Sequence, residues 1–212
     1  MSSKGRAKDT RQIDTVSSRS SIGRILDTAL ALMTKRGNAH VTMAQIARAA
    51  RVSRQAVYLH FADRATLMVA VARYVDEKLG LPDEIRRMAE APTAVSMLDM
   101  MVSLQARLNP AIWAVARALE AIRRTDAAAE RAWQDRLNNR LDGCRAIVAR
   151  LQSDGSLRPG LTAPVAADLL WTLTSLRMWE DLVLERGWSA DQYTQQVGRL
   201  LRETLTRPQS GS

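Results

Sequence analysis

From Ser21 the apolar side chains recur at the spacing of one helical face: Ile22, Ile25, Leu26, Ala29 and Met33 fall at i, i+3, i+4, i+7 and i+11. Lys35 and Arg36 suit a last turn, and Gly37 the position just after it. Thr42 and Gln45 have the spacing of a capping box, in which the hydroxyl accepts a backbone N–H and the amide reaches back to the cap. They predict a short helix from Met43 to Ala50 with Ile46 and Ala47 turned inward. Arg51 and Val52 make a tight connection that asks for no unusual backbone at Arg51. Ser53 then caps a second short helix reaching about His60. Its apolar residues Ala56, Val57 and Leu59, with Phe61 beyond, predict a packed face; Ser53, Arg54, Gln55, Tyr58 and His60 form the polar one. Asp63 caps the next helix, whose stripe of Leu67, Ala70, Val71, Tyr74 and Val75 runs down to Gly80 and Pro82.

After Pro82 the pattern weakens to a polar stretch, Asp83 to Ala91, and then lengthens. Pro92 and Thr93 begin a helix through Met97, Met100, Met101 and Leu104. Asn109 followed by Pro110 reads as a cap with proline at the first helical position, which predicts a separate helix from Ala111 to Arg123. Asp126 caps a long helix through Trp133, Leu137, Leu141, Ile147 and Leu151, ended by the Ser153–Gly160 loop. Thr162 and Pro164 open another through Leu169, Leu173, Leu176 and Trp179, ended by Gly187. Ser189 and Gln192 repeat the capping box before a last helix, Ala190 to Thr206, with Tyr193, Val197, Leu200, Leu201 and Leu205. No alternating β-branched segment interrupts the series. The expected fold is all-α: an arm at residues 1–19, a small helical domain at 20–80, and a helical bundle at 81–212.

Charge separates the two domains. The chain carries +9 over 212 residues, yet residues 1–80 hold 14 bases and 6 acids, leaving only +1 for the rest. A solvated surface would spread such an excess; its concentration points to an acidic polymer as partner. The arm, Met1 to Arg19, is polar and basic with only Ile13 and Val16 apolar. No apolar run approaches the ~18–20 residues of a membrane span, and Met1 to Asp14 lacks the apolar core of a secretory signal. One cysteine, Cys144, and two histidines, His40 and His60, starve most metal and triad chemistries of ligands. No glycine-rich phosphate loop or nucleophile elbow is present. A cytoplasmic protein that is not an enzyme, with no cofactor and no metal, is expected.

Two short helices joined by a tight turn, packed under a preceding helix in a basic region, have the form of a helix-turn-helix. The second helix of such a unit enters the DNA major groove while the first crosses the backbone. Arginine can bind guanine and glutamine adenine in bidentate fashion. The stretch Val41-Thr42-Met43-Ala44-Gln45-Ile46-Ala47, with Val52-Ser53-Arg54-Gln55-Ala56-Val57-Tyr58-Leu59-His60-Phe61, closely resembles the DNA-binding domain of the tetracycline-repressor (TetR) family. Ala62-Asp63-Arg64-Ala65-Thr66-Leu67 continues the match, which covers roughly Ser20 to Leu79. Arg51 stands where that family often has glycine.

The resemblance implies a homodimeric transcriptional regulator, a repressor that leaves a palindromic double-stranded operator when a small apolar or aromatic molecule binds the bundle. It assigns Thr42, Ser53, Arg54, Gln55, Tyr58, His60 and Arg64 to DNA, and Arg51, where the chain departs from the family, would add a phosphate contact. Arg54 and Gln55 would read bases, with Tyr58 beside them on DNA; Arg64 would stand where the family has a phosphate-binding lysine. All five tryptophans follow residue 80. Core packing accounts for each of them singly, while together with methionines they suit a pocket, for which Met101, Trp113 and Trp133 are the candidates. The alternative is a bundle that answers to a protein partner or to no small ligand. The family dimerises through its last two long helices, here about Ala163–Glu185 and Ala190–Thr206. Their stripes, Leu169/Leu173/Leu176 and Val197/Leu201/Leu205, either meet a second copy or face the chain's own bundle.

Overall fold

The computed structural model of the chain describes residues 21–35 and 41–208. The arm and the expectations for Arg36, Gly37 and His40 lie outside the described residues. Among those described there is no strand, only an isolated antiparallel bridge between Leu157 and Thr206. The chain divides into two compact units. One takes the described residues up to Tyr74 with Ala114–Glu130; the other takes Val75–Trp113 with Arg131 onward.

In the first unit, α1 (residues 21–35) buries Ile25, Leu26, Ala29 and Met33 on the face its periodicity predicts. α2 (Met43–Ala50) starts on a complete capping box: Gln45 N–H donates to Thr42 Oγ1 at 3.2 Å, and Thr42 N–H to Gln45 Oε1 at 2.9 Å. α3 (Arg54–His60) starts on Ser53, whose Oγ accepts from Ala56 N–H at 3.0 Å. α4 (Arg64–Lys78) starts on Asp63, which accepts from Thr66 N–H at 2.7 Å.

In the second unit, α5 (Leu81–Ala89) occupies most of the stretch expected to be only weakly structured. Pro82 sits in its first turn, where a missing N–H costs nothing, and Gly80 enters it with a φ of 64°. α6 (Ala94–Ile122), whose residues from Ala114 belong to the first unit, corrects the sequence reading further, since it is one helix with Pro110 inside rather than two. Proline in a helix interior forfeits a hydrogen bond at a cost of about 3 kcal/mol. The inward positions nonetheless continue through it at helical period: Met101, Gln105, Leu108, half-buried Ile112, Val115 and Leu119. Burial of that uninterrupted stripe outweighs the lost bond. α7 spans Ala127–Ser153, with Asp126 accepting from Ala129 N–H at 3.0 Å.

The helix expected from Thr162 to Gly187 is broken. α8 (Ala163–Leu173) ends at Thr174, and Ser175 caps a fresh start, α9 (Leu176–Trp179), by accepting from Met178 N–H at 3.1 Å. α9 runs on as a π-helical turn, Glu180–Glu185. Arg140 of α7 fills the break. Its guanidinium donates to the Trp171 carbonyl at 2.7 Å and to Thr174 Oγ1 at 3.3 Å, and lies 4.3 Å from the Trp171 ring centroid. A helix continuing through Ser175 would bond that carbonyl itself. α10 (Ala190–Leu205) has Ser189 as cap, accepting from Gln192 N–H at 3.1 Å. Its Tyr193, Val197, Leu201 and Leu205 are buried in the unit's own core with Leu98, Ile147, Leu151 and Leu170. Of the two readings of the α10 stripe, the chain's own bundle covers it.

Candidate nucleic-acid interface

The turn between α2 and α3 sets the direction of α3. Arg51 N–H donates to Arg48 carbonyl at 3.3 Å and Val52 N–H to Ala47 carbonyl at 3.1 Å, the paired bonds of a helix end closed by a left-handed residue. That residue is Arg51, with φ 55° and ψ 44°, the only non-glycine with positive φ among the described residues. The expectation of ordinary backbone there is overturned. The bonding pattern demands αL, and a side chain in αL costs roughly 1–2 kcal/mol where glycine costs none.

α3 buries Val57 and is followed by buried Phe61, while Arg54, Gln55 and Tyr58 stand exposed. Leu59 departs from the packed face expected of it and is 81% exposed. Residues 54, 55, 58 and 59 fall at i, i+1, i+4 and i+5, so they share one helical face. Leu59 is the outward residue of α3 that sequence reasoning missed, because an apolar letter between two polar ones reads as core. Its spacing from Gln55 was the available signal. On the same face the Arg54 guanidinium lies 5.6 Å from the Tyr58 ring centroid. His60 is half-buried and meets Phe61 edge-on, with centroids 6.3 Å apart. Thr42 and Ser53 are exposed, with their hydroxyls engaged as caps. Arg51 is exposed beside them.

Arg64, in the first turn of α4, differs from the rest. It is half-buried, and its Nε and Nη2 atoms are buried with no hydrogen-bond partner. Burial alone holds the guanidinium below its ordinary pKa. A buried donor without an acceptor is costly, and a guanidinium takes carboxylate or phosphate oxygens as acceptors. Between Val41 and Arg64 the sequence has four arginines (Arg48, Arg51, Arg54, Arg64) and a single acid, Asp63.

The pocket candidates sit in the second unit. Met101 is buried in its core, Trp113 packs against that core and donates from Nε1 to Glu180 Oε1 at 3.2 Å, and Trp133 is half-buried. None of them lines the cleft between α6 and α10, which holds about 530 Å³, opens to solvent, and is walled by Ser103, Arg107, Asp191, Thr194 and Gln195 among others. Cys144 is buried, and burial pushes its thiol up to about 11, so it stays protonated and inert. Among the described residues no three His, Cys, Asp or Glu are grouped to hold a metal, and no helix is long and apolar enough to cross a membrane.

Comparison with known proteins agrees with this geometry. Residues 25–71 match the family model described as "Bacterial regulatory proteins, tetR family". No curated protein matches the chain. Among solved structures, a putative transcriptional regulator from Saccharomonospora viridis in complex with choline superposes with a TM-score of 0.75 at 20% identity, covering 89% of this chain and 98% of its own. NalD, the secondary repressor of the MexAB-OprM multidrug efflux pump in Pseudomonas aeruginosa, gives 0.68 at 23% identity, over 92% and 100%. AibR in complex with isovaleryl coenzyme A and operator DNA gives 0.66 at 18% identity, over 87% and 99%. At these identities the structures establish the fold.

Proposed function

We propose, from the match of residues 25–71 to the tetR-family regulatory model, that the chain is a sequence-specific regulator that binds a palindromic operator as a homodimer and represses from it. The observation that carries this reading is the outward set on α3, Arg54, Gln55 and Tyr58, held beside an arginine-lined turn and the unpartnered Arg64. Arg54 and Gln55 supply the bidentate donors that distinguish bases; Arg64, Arg51, Thr42, Ser53 and His60 address phosphates, which position the protein without specifying sequence. The exposed apolar residues Val165 of α8 and Leu200 of α10 offer a face for the second copy. Dimerisation would set the two α3 helices about 34–36 Å apart, one turn of DNA.

Release of the operator by a small molecule draws support from relatives crystallised with choline and with isovaleryl coenzyme A. The described cleft favours a second reading of the bundle. Its walls open to solvent and carry Arg107 and Asp191, which suits a protein partner better than the enclosure a small apolar effector needs.

Selection of bound fragments from genomic DNA, followed by footprinting, tests the reading. A palindromic footprint is expected. Arg54→Ala and Gln55→Ala should relax base preference by about 1–3 kcal/mol at the affected positions. Arg64→Ala should weaken all sequences alike. A protein that selects no sequence would overturn the proposal.

A further inference from the structure

Leu59 is 81% exposed, the largest value among the exposed large apolar side chains of the described residues. A lone exposed leucine is ordinary on a protein surface. This one shares a helical face with Arg54, Gln55 and Tyr58, in a segment where four arginines meet one acid. A face with that charge suits DNA, and the major groove carries one apolar mark, the 5-methyl group of thymine. Gln55 and Leu59 stand four residues apart, about 6 Å along a helix, close to two base steps of roughly 3.4 Å.

We propose that Leu59 is a specificity determinant that packs against a thymine methyl about two steps from the base read by Gln55. The proposal rests on the DNA-binding reading above. Leucine has no donor or acceptor, so it adds to the hydrogen-bond code a contact that only thymine satisfies.

The test uses the full chain and the duplex recovered by selection, prepared with thymine and again with every thymine replaced by uracil, which removes only the methyls. Wild type should bind the uracil duplex about fourfold more weakly for each methyl that Leu59 covers, the factor expected for one buried carbon. Leu59→Ala should bind the thymine duplex more weakly than wild type and lose most of the preference for thymine over uracil. Arg54→Ala should keep it. Any effect of uracil on DNA shape acts on wild type and Leu59→Ala alike, and so cancels between them. Wild type indifferent to uracil, or Leu59→Ala as sensitive as wild type, overturns the inference while the DNA-binding reading stands. If no duplex is recovered at all, the DNA-binding reading fails and this inference with it.

Discussion

α3 and α10 mix polar and apolar residues in similar measure and dispose of them in opposite ways. α10 hides Tyr193, Val197, Leu201 and Leu205 completely within its own unit, whereas α3 hides Val57 and turns Leu59 to solvent. Two arginines repeat the contrast. Burial lowers the pKa of both guanidinium groups, yet Arg140 directs its donors to the Trp171 carbonyl and Thr174, while Arg64 leaves Nε and Nη2 without an acceptor. Periodicity reveals that a helix has a stripe; it does not reveal what covers the stripe. In the bundle the chain itself does. In the helix-turn-helix nothing in the chain covers Leu59 or answers the Arg64 donors.

The largest effect should come from testing that cover on α10. Leu201→Glu places a carboxylate in a site without access to water and should cost about 4 kcal/mol or more, unfolding the unit in a thermal melt followed by circular dichroism. Leu200→Glu, one residue away and 39% exposed, should stay folded. If the second copy docks on the exposed face, Leu200→Glu with Val165→Glu should sediment as a folded monomer. A Leu201→Glu protein that melts like its parent would break the contrast.

The paired arginines give the next largest effect. Arg140→Met strands the Trp171 carbonyl and should lower stability by about 1–3 kcal/mol in denaturant titration. Arg64→Met removes a buried charge that has no acceptor, so free-protein stability should hold or rise while DNA affinity falls. Equal losses for the two variants would show that Arg64 serves the fold no less than Arg140 does.

How far these assignments were legible in the sequence follows the same division. The caps at Thr42, Ser53, Asp63, Asp126 and Ser189 were readable because each is a local bond between residues three apart. The polar face of α3 was readable for a similar reason, since Arg54, Gln55 and Tyr58 stand out by type. Pro110 misled because its penalty is local and its compensation is not: the buried positions on either side come from tertiary packing. The break at Thr174 was invisible because Arg140, more than thirty residues earlier, completes it. Arg51 was misjudged because the αL requirement belongs to the pair of turn bonds, not to arginine.

Two smaller effects sharpen the picture on the DNA side. Asp63 lies below its ordinary pKa, chiefly through the Thr66 backbone N–H and then its hydroxyl. A lowered carboxyl adds stability above its unfolded value of 3.8 and loses it as pH falls through the folded one. Asp63→Ala should therefore cost about 1 kcal/mol at neutral pH, with the gap to the parent narrowing in acid melts. Arg51→Gly should relieve the αL side chain and gain about 0.5–1 kcal/mol, while DNA binding weakens if the arginine meets phosphate. Stability and affinity moving in opposite directions would mark the strain at Arg51 as kept for the partner.

The first turn of α6 has a consequence for synthesis. Its Ser96 N–H is capped locally by Thr93 at 3.1 Å, but its Ala94 N–H donates to Asp154 Oδ2, sixty residues later, at 2.9 Å. A ribosome adds roughly 5–20 residues per second, so about 3–12 s pass between the appearance of donor and acceptor. During that interval a nascent α6 starts on Thr93 alone, with water holding the place of Asp154. The end of α7 thus completes the beginning of α6, and a nascent chain stalled before Asp154 would carry that helix start only half capped.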